Sequence, residues 1–139
     1  MLSNITITTN DLKAVTPDIE TYKFPDETDF ANQIKIARKI VYREVLRDYR
    51  LRNPGDSLTA SETALANVKD LTNTPNLKDK IVRHSIAEIF KTNRMLELAD
   101  AYRQDADLIT LEYHLDTDND DVIDDDDEIN KSYGFHFGR

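Results

Sequence analysis

The sequence predicts an all-α protein: a small helical bundle with an extended N-terminal arm, an acidic EF-hand-like loop and an extended C-terminal tail. Two long segments repeat apolar residues every three or four positions, which is the period of a helix packed on one side. Only three Gly and four Pro occur in 139 residues, so few positions interrupt helices. Residues 116–128 contain nine of the 27 acidic residues, and the remainder has 18 acidic and 18 basic residues. We therefore divide the chain into a helical body (1–115), an acidic loop (116–128) and a C-terminal interaction tail (129–139).

Composition excludes several classes of function. The absence of Cys removes disulfides, thiolate metal sites and cysteine nucleophiles. We expect a soluble protein without membrane contact, because the start lacks a signal-peptide pattern and no apolar run approaches the roughly 18 residues of a membrane span. The net charge of -9 argues against generic nucleic-acid binding, which depends on Lys and Arg. No phosphate-binding loop or pocket-forming catalytic motif occurs, so we expect no enzyme.

The N-terminal region is predicted to be irregular with short helical pieces. Asn4–Thr9 alternates Ile with Thr and indicates a short strand or an extended arm. Asn10 and Asp11 are candidate caps of a short helix that ends near Val15. A turn or one more short helical piece is expected between residues 17 and 25.

The first long helix is predicted from Asp29 to about Tyr49, with Thr28 or Asp29 as its cap. Its core-facing residues are Phe30, Ile34, Ala37, Val41 and Val45. A basic stripe on the opposite side consists of Lys35, Lys39, Arg43 and Arg47. This stripe is either a solvated face or a docking surface for an acidic partner.

Further helices are predicted in the second half of the body. Ser61 begins a short helix that runs through Leu71. Asn76 is the predicted cap of a longer helical segment that continues to about Tyr113 without Gly or Pro, and Asp79 stands where a capping box would place an acid.

The apolar side of the segment 76–113 reverses near Thr92 and Asn93. Either two helices join there, or one long helix packs on both sides. In the second case Met95 and Tyr102 belong to the side that faces a neighbouring subunit.

The acidic loop partly follows the pattern of an EF-hand calcium loop. Gly of position 6 is replaced by Asp121 and Glu of position 12 by the shorter Asp127. The segment is a tight Ca²⁺ site, a structural cation site or a solvated loop. Close carboxylates repel one another, which favours a bound cation or basic groups from elsewhere. The candidate ligands are Asp116, Asp118, Asp120 and Asp127.

The C-terminal tail places three aromatic residues at every second position. In an extended chain Tyr133, Phe135 and Phe137 share one face, and Arg139 ends the chain. The tail is either an ordinary chain end or a segment that inserts into a partner groove or adds to a sheet edge. The three histidines, His84, His114 and His136, are not spaced as metal ligands, so we interpret each as structural.

The order of these features resembles that of the head-tail adaptor (head completion) proteins of tailed bacteriophages. The resemblance rests on Thr8–Leu12, the long first helix, the second helical block, the Asp-rich turn Leu115–Asp124 and an aromatic tail that ends in Arg139.

This resemblance implies a structural virion protein in the neck between head and tail, made in the host cytoplasm. It implies a homo-oligomeric ring of twelve copies whose partners are the portal protein and the next neck or tail-terminator protein. DNA passes through the ring without specific binding, and the acidic loop either repels its phosphates or pairs with the basic stripe of a neighbouring copy. The alternative function is a Ca²⁺-binding interaction module, and no other cofactor is expected. The tail residues Tyr133, Phe135, Phe137 and Arg139 are predicted to bind the portal or a neighbour, and the predicted subunit interface contains Lys35, Lys39, Arg43, Arg47, Met95 and Tyr102.

Overall fold

Five α-helices and a three-stranded sheet form the part of the chain that the structure, a computed structural model, describes: residues 2, 4–24, 26–70, 75–116 and 128–132. The helices are α1 (Thr9–Val15), α2 (Ala31–Arg52), α3 (Leu58–Ala64), α4 (Asn76–Thr92) and α5 (Leu96–Leu108). The strands are β1 (Val68–Lys69), β2 (Leu111–Leu115) and β3 (Glu128–Ser132), and short 3-10 turns occupy Ile19–Tyr22 and Leu65–Asn67. None of the helices in these ranges is long and apolar enough to cross a membrane.

The mostly helical prediction is confirmed, and the fold also contains a small three-stranded sheet that the all-α prediction did not include. Strand β2 is central and pairs antiparallel with both neighbours, with Val68 opposite Leu115 on one side and Leu115 opposite Glu128 on the other. Leu111, Tyr113 and Leu115 are buried along β2. These residues belong to a strand that has partners on both sides, so the helix predicted to reach Tyr113 ends at Leu108 instead.

Helix α4 is the centre of the core. Its buried residues occupy nearly every side of the helix, and it packs against α1, α2, α5 and β2. A helix that is apolar all round is expected to be enclosed by other elements. The reversal of the apolar side that the sequence shows near Thr92 marks the end of this helix.

The segment 76–113 contains two helices, so the two-helix alternative is confirmed. Arg94 lies between them with a left-handed φ of 60°. The Met95 amide donates to the Phe90 carbonyl and the Arg94 amide to the Lys91 carbonyl, which together make a Schellman motif. The Asn93 side chain donates to the carbonyls of Tyr22 (2.9 Å) and Ile89 (2.8 Å) and fixes this turn against the N-terminal region.

Helix α2 carries the predicted apolar stripe. Phe30, Ala37, Val41 and Val45 are buried and Ile34 packs against the same core. The helix begins two residues later than predicted. Asp29 still binds a backbone amide of the first turn, because Asp29 Oδ1 accepts from the Ala31 amide (3.1 Å). The helix ends at Arg52, three residues beyond the predicted end.

The N-terminal arm packs on the body and forms no strand within residues 4–8. Ile5 and Ile7 are buried, and the Arg38 guanidinium on α2 donates to the backbone carbonyls of Leu2 (2.6 Å) and Ile5. Helix α1 follows as predicted, but its cap is Thr8, which forms a capping box with Asp11.

The start of α4 is capped from a distance. Asp70 accepts from the backbone amides of Leu77 (2.9 Å) and Lys78 (2.8 Å), so the predicted cap residue Asn76 is free to donate to the Thr110 carbonyl (3.0 Å). The preceding short helix α3 begins earlier than predicted, with Ser57 as its cap, and stops at Ala64. The predicted end of that helix, Leu71, lies outside the described residues.

Candidate functional site

The basic stripe lies on the exposed face of α2. The side chains of Lys35, Lys39, Arg43 and Arg47 are exposed, and none of them forms an ion pair with a residue that the structure describes. Four like charges spaced by one turn repel one another, since residues four apart are neighbours on a helix. This face therefore favours the approach of negatively charged groups.

The C-terminal half of this face borders a shallow groove of about 450 Å³. Leu51 is 74% exposed, so the groove combines apolar surface with cationic groups. The groove suits a ligand that carries both carboxylates and an apolar side chain. Its lining consists of Arg43, Leu46, Arg47, Arg50, Leu51 and Pro54.

The acidic loop connects two paired strands. Residues 116–127 join β2 to β3, and the pair Leu115–Glu128 closes their base. An EF-hand loop lies between two helices, whereas strands flank this segment on both sides, so the predicted EF-hand-like environment is not found. Asp116 is fully buried and its amide donates to the Asn67 carbonyl (3.1 Å). The other candidate ligands, Asp118, Asp120 and Asp127, lie outside the described residues.

The first residues of the predicted C-terminal tail pair with the body. Residues 129–132 belong to β3, which is extended and pairs with β2. Asn130 is buried opposite Tyr113. The tail residues Tyr133, Phe135, Phe137 and Arg139 lie outside the described residues, and their predicted role stays a prediction.

The two interface residues predicted on α5 and before it lie against the chain's own core. Met95 and Tyr102 are half-buried, and the Tyr102 ring stacks on Phe90 with centroids 5.5 Å apart. The Tyr102 hydroxyl accepts from Thr16 Oγ1 (2.9 Å). Their role between subunits stays a prediction. The apolar surface that α5 turns outward is instead made by Leu96, Leu98 and Leu108, which are 62%, 42% and 65% exposed.

A buried cluster of charged groups lies where α2, α4 and α5 meet. Lys80 is fully buried, and its Nζ donates to the Ala106 carbonyl (2.8 Å) and lies 3.2 Å from Glu44 Oε2. Burial alone raises the pKa of the Glu44 carboxyl, but the contacts with His84 and Lys80 outweigh it and place this pKa below its usual value. Glu44 is therefore the counter-charge of a buried lysine.

His84 belongs to the same cluster. Its side chain is 4% exposed, and Nε2 lies 3.7 Å from Glu44 Oε1 and 3.9 Å from Asp107 Oδ1, beyond hydrogen-bond range. The sequence analysis did not predict this cluster, because its members come from three different helices and are not close in sequence. Lys80 and His84 are four residues apart and therefore share one side of α4, but only the packing of the three helices shows that this side is buried.

Comparison with known proteins finds no match among family models, curated proteins or solved structures. Three features of this chain bear on its function: the basic groove on α2, the acidic sequence between β2 and β3, and the exposed leucines of α5.

Proposed function

We propose that this protein is a structural subunit of a phage neck, a homo-oligomeric ring between portal and tail with DNA passing through its middle. In this role it catalyses no reaction. The resemblance of the sequence layout to head-tail adaptor proteins supports the proposal, and one observation carries it. The chain has a cationic, partly apolar groove on α2 and an acidic segment of matching character.

The match extends beyond net charge. Val122 and Ile123 form an apolar pair with acidic residues on both sides, Asp120 and Asp121 before it and residues 124–127 after it. The lining of the groove likewise combines apolar side chains, among them Leu51, with arginines. Docking would bury the apolar pair and bring carboxylates to guanidinium groups, which form strong charge-assisted hydrogen bonds.

Ring formation follows when the segment of one copy binds the groove of the next. A head-to-tail contact needs two different complementary surfaces on each copy, and it closes into a ring if the rotation between copies divides a full turn. Pairing of the acidic segment with the basic stripe does not change the sum of the charges, so each copy keeps its net charge of -9. Such a ring repels phosphate and lets DNA move through without being held.

A carbodiimide cross-linking experiment tests the contact. The reagent joins a carboxylate directly to a lysine amine, and Lys35 and Lys39 provide amines on the basic stripe. We mix equal amounts of ¹⁴N- and ¹⁵N-labelled protein at high concentration, cross-link, digest and identify the linked peptides by mass spectrometry. Links between residues 118–127 and these lysines should include pairs of mixed isotope composition, because they join different copies.

Charge reversal supplies the matched control. Arg47→Glu should reduce the mixed links strongly, whereas Arg103→Glu, which reverses an exposed arginine on α5, should leave them unchanged. If the links were entirely unmixed, or if both variants behaved alike, the segment would not bridge copies and the ring proposal would lose its basis.

A further inference from the structure

Within the part of the chain that the structure describes, the absence of a hydrogen bond at His84 Nε2 distinguishes its cluster from an ordinary buried ion pair. Nε2 has no hydrogen-bond partner among the described residues, although the residue is only 3% exposed. Buried polar atoms are nearly always satisfied, since leaving one without a partner costs free energy. This nitrogen faces two carboxylate oxygens, one of Glu44 and one of Asp107, at distances too long for a hydrogen bond.

We propose that Glu44, His84 and Asp107 form a binding site for a divalent transition-metal ion, with Zn²⁺ as the preferred ion. One ligand atom from each residue lies within 4.8 Å of the other two, so a modest movement of the side chains brings all three to a single ion. The two carboxylates are partly exposed, at 30% and 34%, and have the freedom to make this movement. The ion satisfies the orphaned imidazole nitrogen.

The donor set decides the class of ion. One imidazole nitrogen and two carboxylate oxygens suit Zn²⁺, while Ca²⁺ and Mg²⁺ prefer oxygen donors alone. The acidic segment 116–128 contains carboxylates and no histidine, so its donors are oxygen atoms alone. The two groups of residues therefore differ in the class of ion that they prefer.

Lys80 orients one ligand and limits the affinity. Its ammonium holds Glu44 Oε2, which leaves Oε1 directed to the side of His84. Hydrogen bonds to the outer oxygen of a ligating carboxylate are a usual feature of metal sites. The same positive charge repels the ion, so Lys80 opposes binding electrostatically while it positions the ligand.

Bound metal joins three helices. Glu44 comes from α2, His84 from α4 and Asp107 from α5, so the ion restrains α5 against the centre of the core. Because the ion binds the folded chain, it raises the temperature of unfolding. At a Zn²⁺ concentration about 100 times the dissociation constant, the expected rise is about 10 °C.

Calorimetric titration with Zn²⁺ in millimolar Ca²⁺ tests the proposal, because Ca²⁺ occupies oxygen-only sites in advance. The expected result is one Zn²⁺ per chain together with the rise in unfolding temperature. Asp107→Asn removes a ligand that is partly exposed, so the variant should fold, and its affinity should fall at least about tenfold. Asp105→Asn removes an exposed carboxylate from the same helix and should bind like the unaltered protein.

Two results would overturn the metal site. One is the absence of Zn²⁺ binding under these conditions. The other is equal affinity in Asp107→Asn and Asp105→Asn, which would place the ion elsewhere on the chain. Neither result bears on the cross-linking of the acidic segment, so the metal site and the ring contact are tested separately.

Discussion

Arg94 occupies a backbone conformation that glycine adopts without cost. Its φ of 60° belongs to the left-handed region, which costs a residue with a β-carbon about 1–2 kcal/mol. Gly is the usual residue at this position of a Schellman motif. The sequence has Arg there, and this explains why no glycine marks the end of α4 in the sequence.

Arg94→Gly should therefore stabilise the protein by about 0.5–1 kcal/mol, after allowance for the greater freedom of Gly in the unfolded chain. Urea unfolding measures the difference. Arg94→Ala serves as the control, because it removes the charge but keeps the β-carbon and should give no gain. A gain of equal size in both variants would point to charge instead of backbone conformation.

Asp11 contributes stability that depends on pH. Burial raises the pKa of its carboxyl. Hydrogen bonds from Thr8 and the Lys78 ammonium 3.3 Å away lower this pKa by a larger amount. The folded-state pKa therefore lies below the usual value near 3.8. A depressed pKa means that the contribution is present above about pH 3.8 and is lost as the pH falls through the folded-state value.

Asp11→Asn should cost about 0.5–1 kcal/mol at pH 7, the range for a capping interaction. The difference from the unaltered protein should shrink as the pH falls through the folded-state pKa of Asp11, because the protonated carboxyl is then uncharged like the amide. Denaturant unfolding at pH 7 and at a series of acidic pH values checks this. A difference that stays constant with pH would show that the charge of Asp11 is irrelevant to the cap.

Lys80 and Glu44 should respond unequally to replacement. Glu44→Gln leaves a fully buried ammonium without its counter-charge and should cost about 3 kcal/mol. Lys80→Met removes the buried charge and leaves a carboxylate that still reaches water, so a cost of about 1–2 kcal/mol is expected. Unfolding in a chelator-containing buffer measures both variants, and the reverse order of costs would contradict this account of the cluster.

At the scale of whole elements, the first turn of α4 is capped by Asp70, a residue that does not directly precede the helix in sequence. Asp70 accepts from two backbone amides of the first turn, as a local cap residue does. Asp70→Ala should destabilise the protein by about 1–2 kcal/mol. Asp79→Ala removes an exposed acid from the same turn and should cost a few tenths. Similar losses in both variants, measured by thermal or urea unfolding, would mean that Asp70 contributes only charge.

Sequence periodicity predicted the helices better than it predicted the sheet. Helix α2 is long and amphipathic, so its buried residues were predictable from spacing alone. The strands are short, and each is stabilised by a neighbour far along the chain. Ile129 is the only β-branched residue of β3, and its partner His114 lies on the other side of the acidic run. Local preference cannot reveal such a pairing, because the hydrogen bonds depend on the tertiary fold.

The candidate sites also differ in how far the sequence alone predicts them. Lys35, Lys39, Arg43 and Arg47 were predictable because a stripe on one helix is a local property. The cluster of Glu44, His84 and Asp107 was not, since three helices must pack before these side chains meet.

At the scale of the whole molecule, α5 turns leucines outward. Leu98 and Leu108 lie on one side of the helix, roughly 80° apart at 3.6 residues per turn, and both are exposed. Exposed apolar surface of this kind is typical of contacts with other chains. Under the ring proposal this side of α5 belongs to a subunit interface.

The double variant Leu98→Ser/Leu108→Ser should change the free energy of unfolding of the single chain by no more than about 0.5 kcal/mol, because neither side chain is in the core. Its self-association, measured by analytical ultracentrifugation, should weaken at least about tenfold. Arg103→Ser, an exposed change on the opposite side of the same helix, should leave association unaltered. Unchanged association of the double variant would remove α5 from the interface.

The antiparallel pairing of Leu115 with Glu128 fixes two backbone positions on either side of residues 117–127. Because the ladder holds these two positions next to each other, a connection of different length or sequence can be attached at the same points. Doubling the length of such a connection costs only about 0.6 kcal/mol in closure entropy. The electrostatic character of the protein can therefore diverge among variants while its scaffold is retained, and grafting a neutral or tagged linker at this point is a practical route to engineered derivatives.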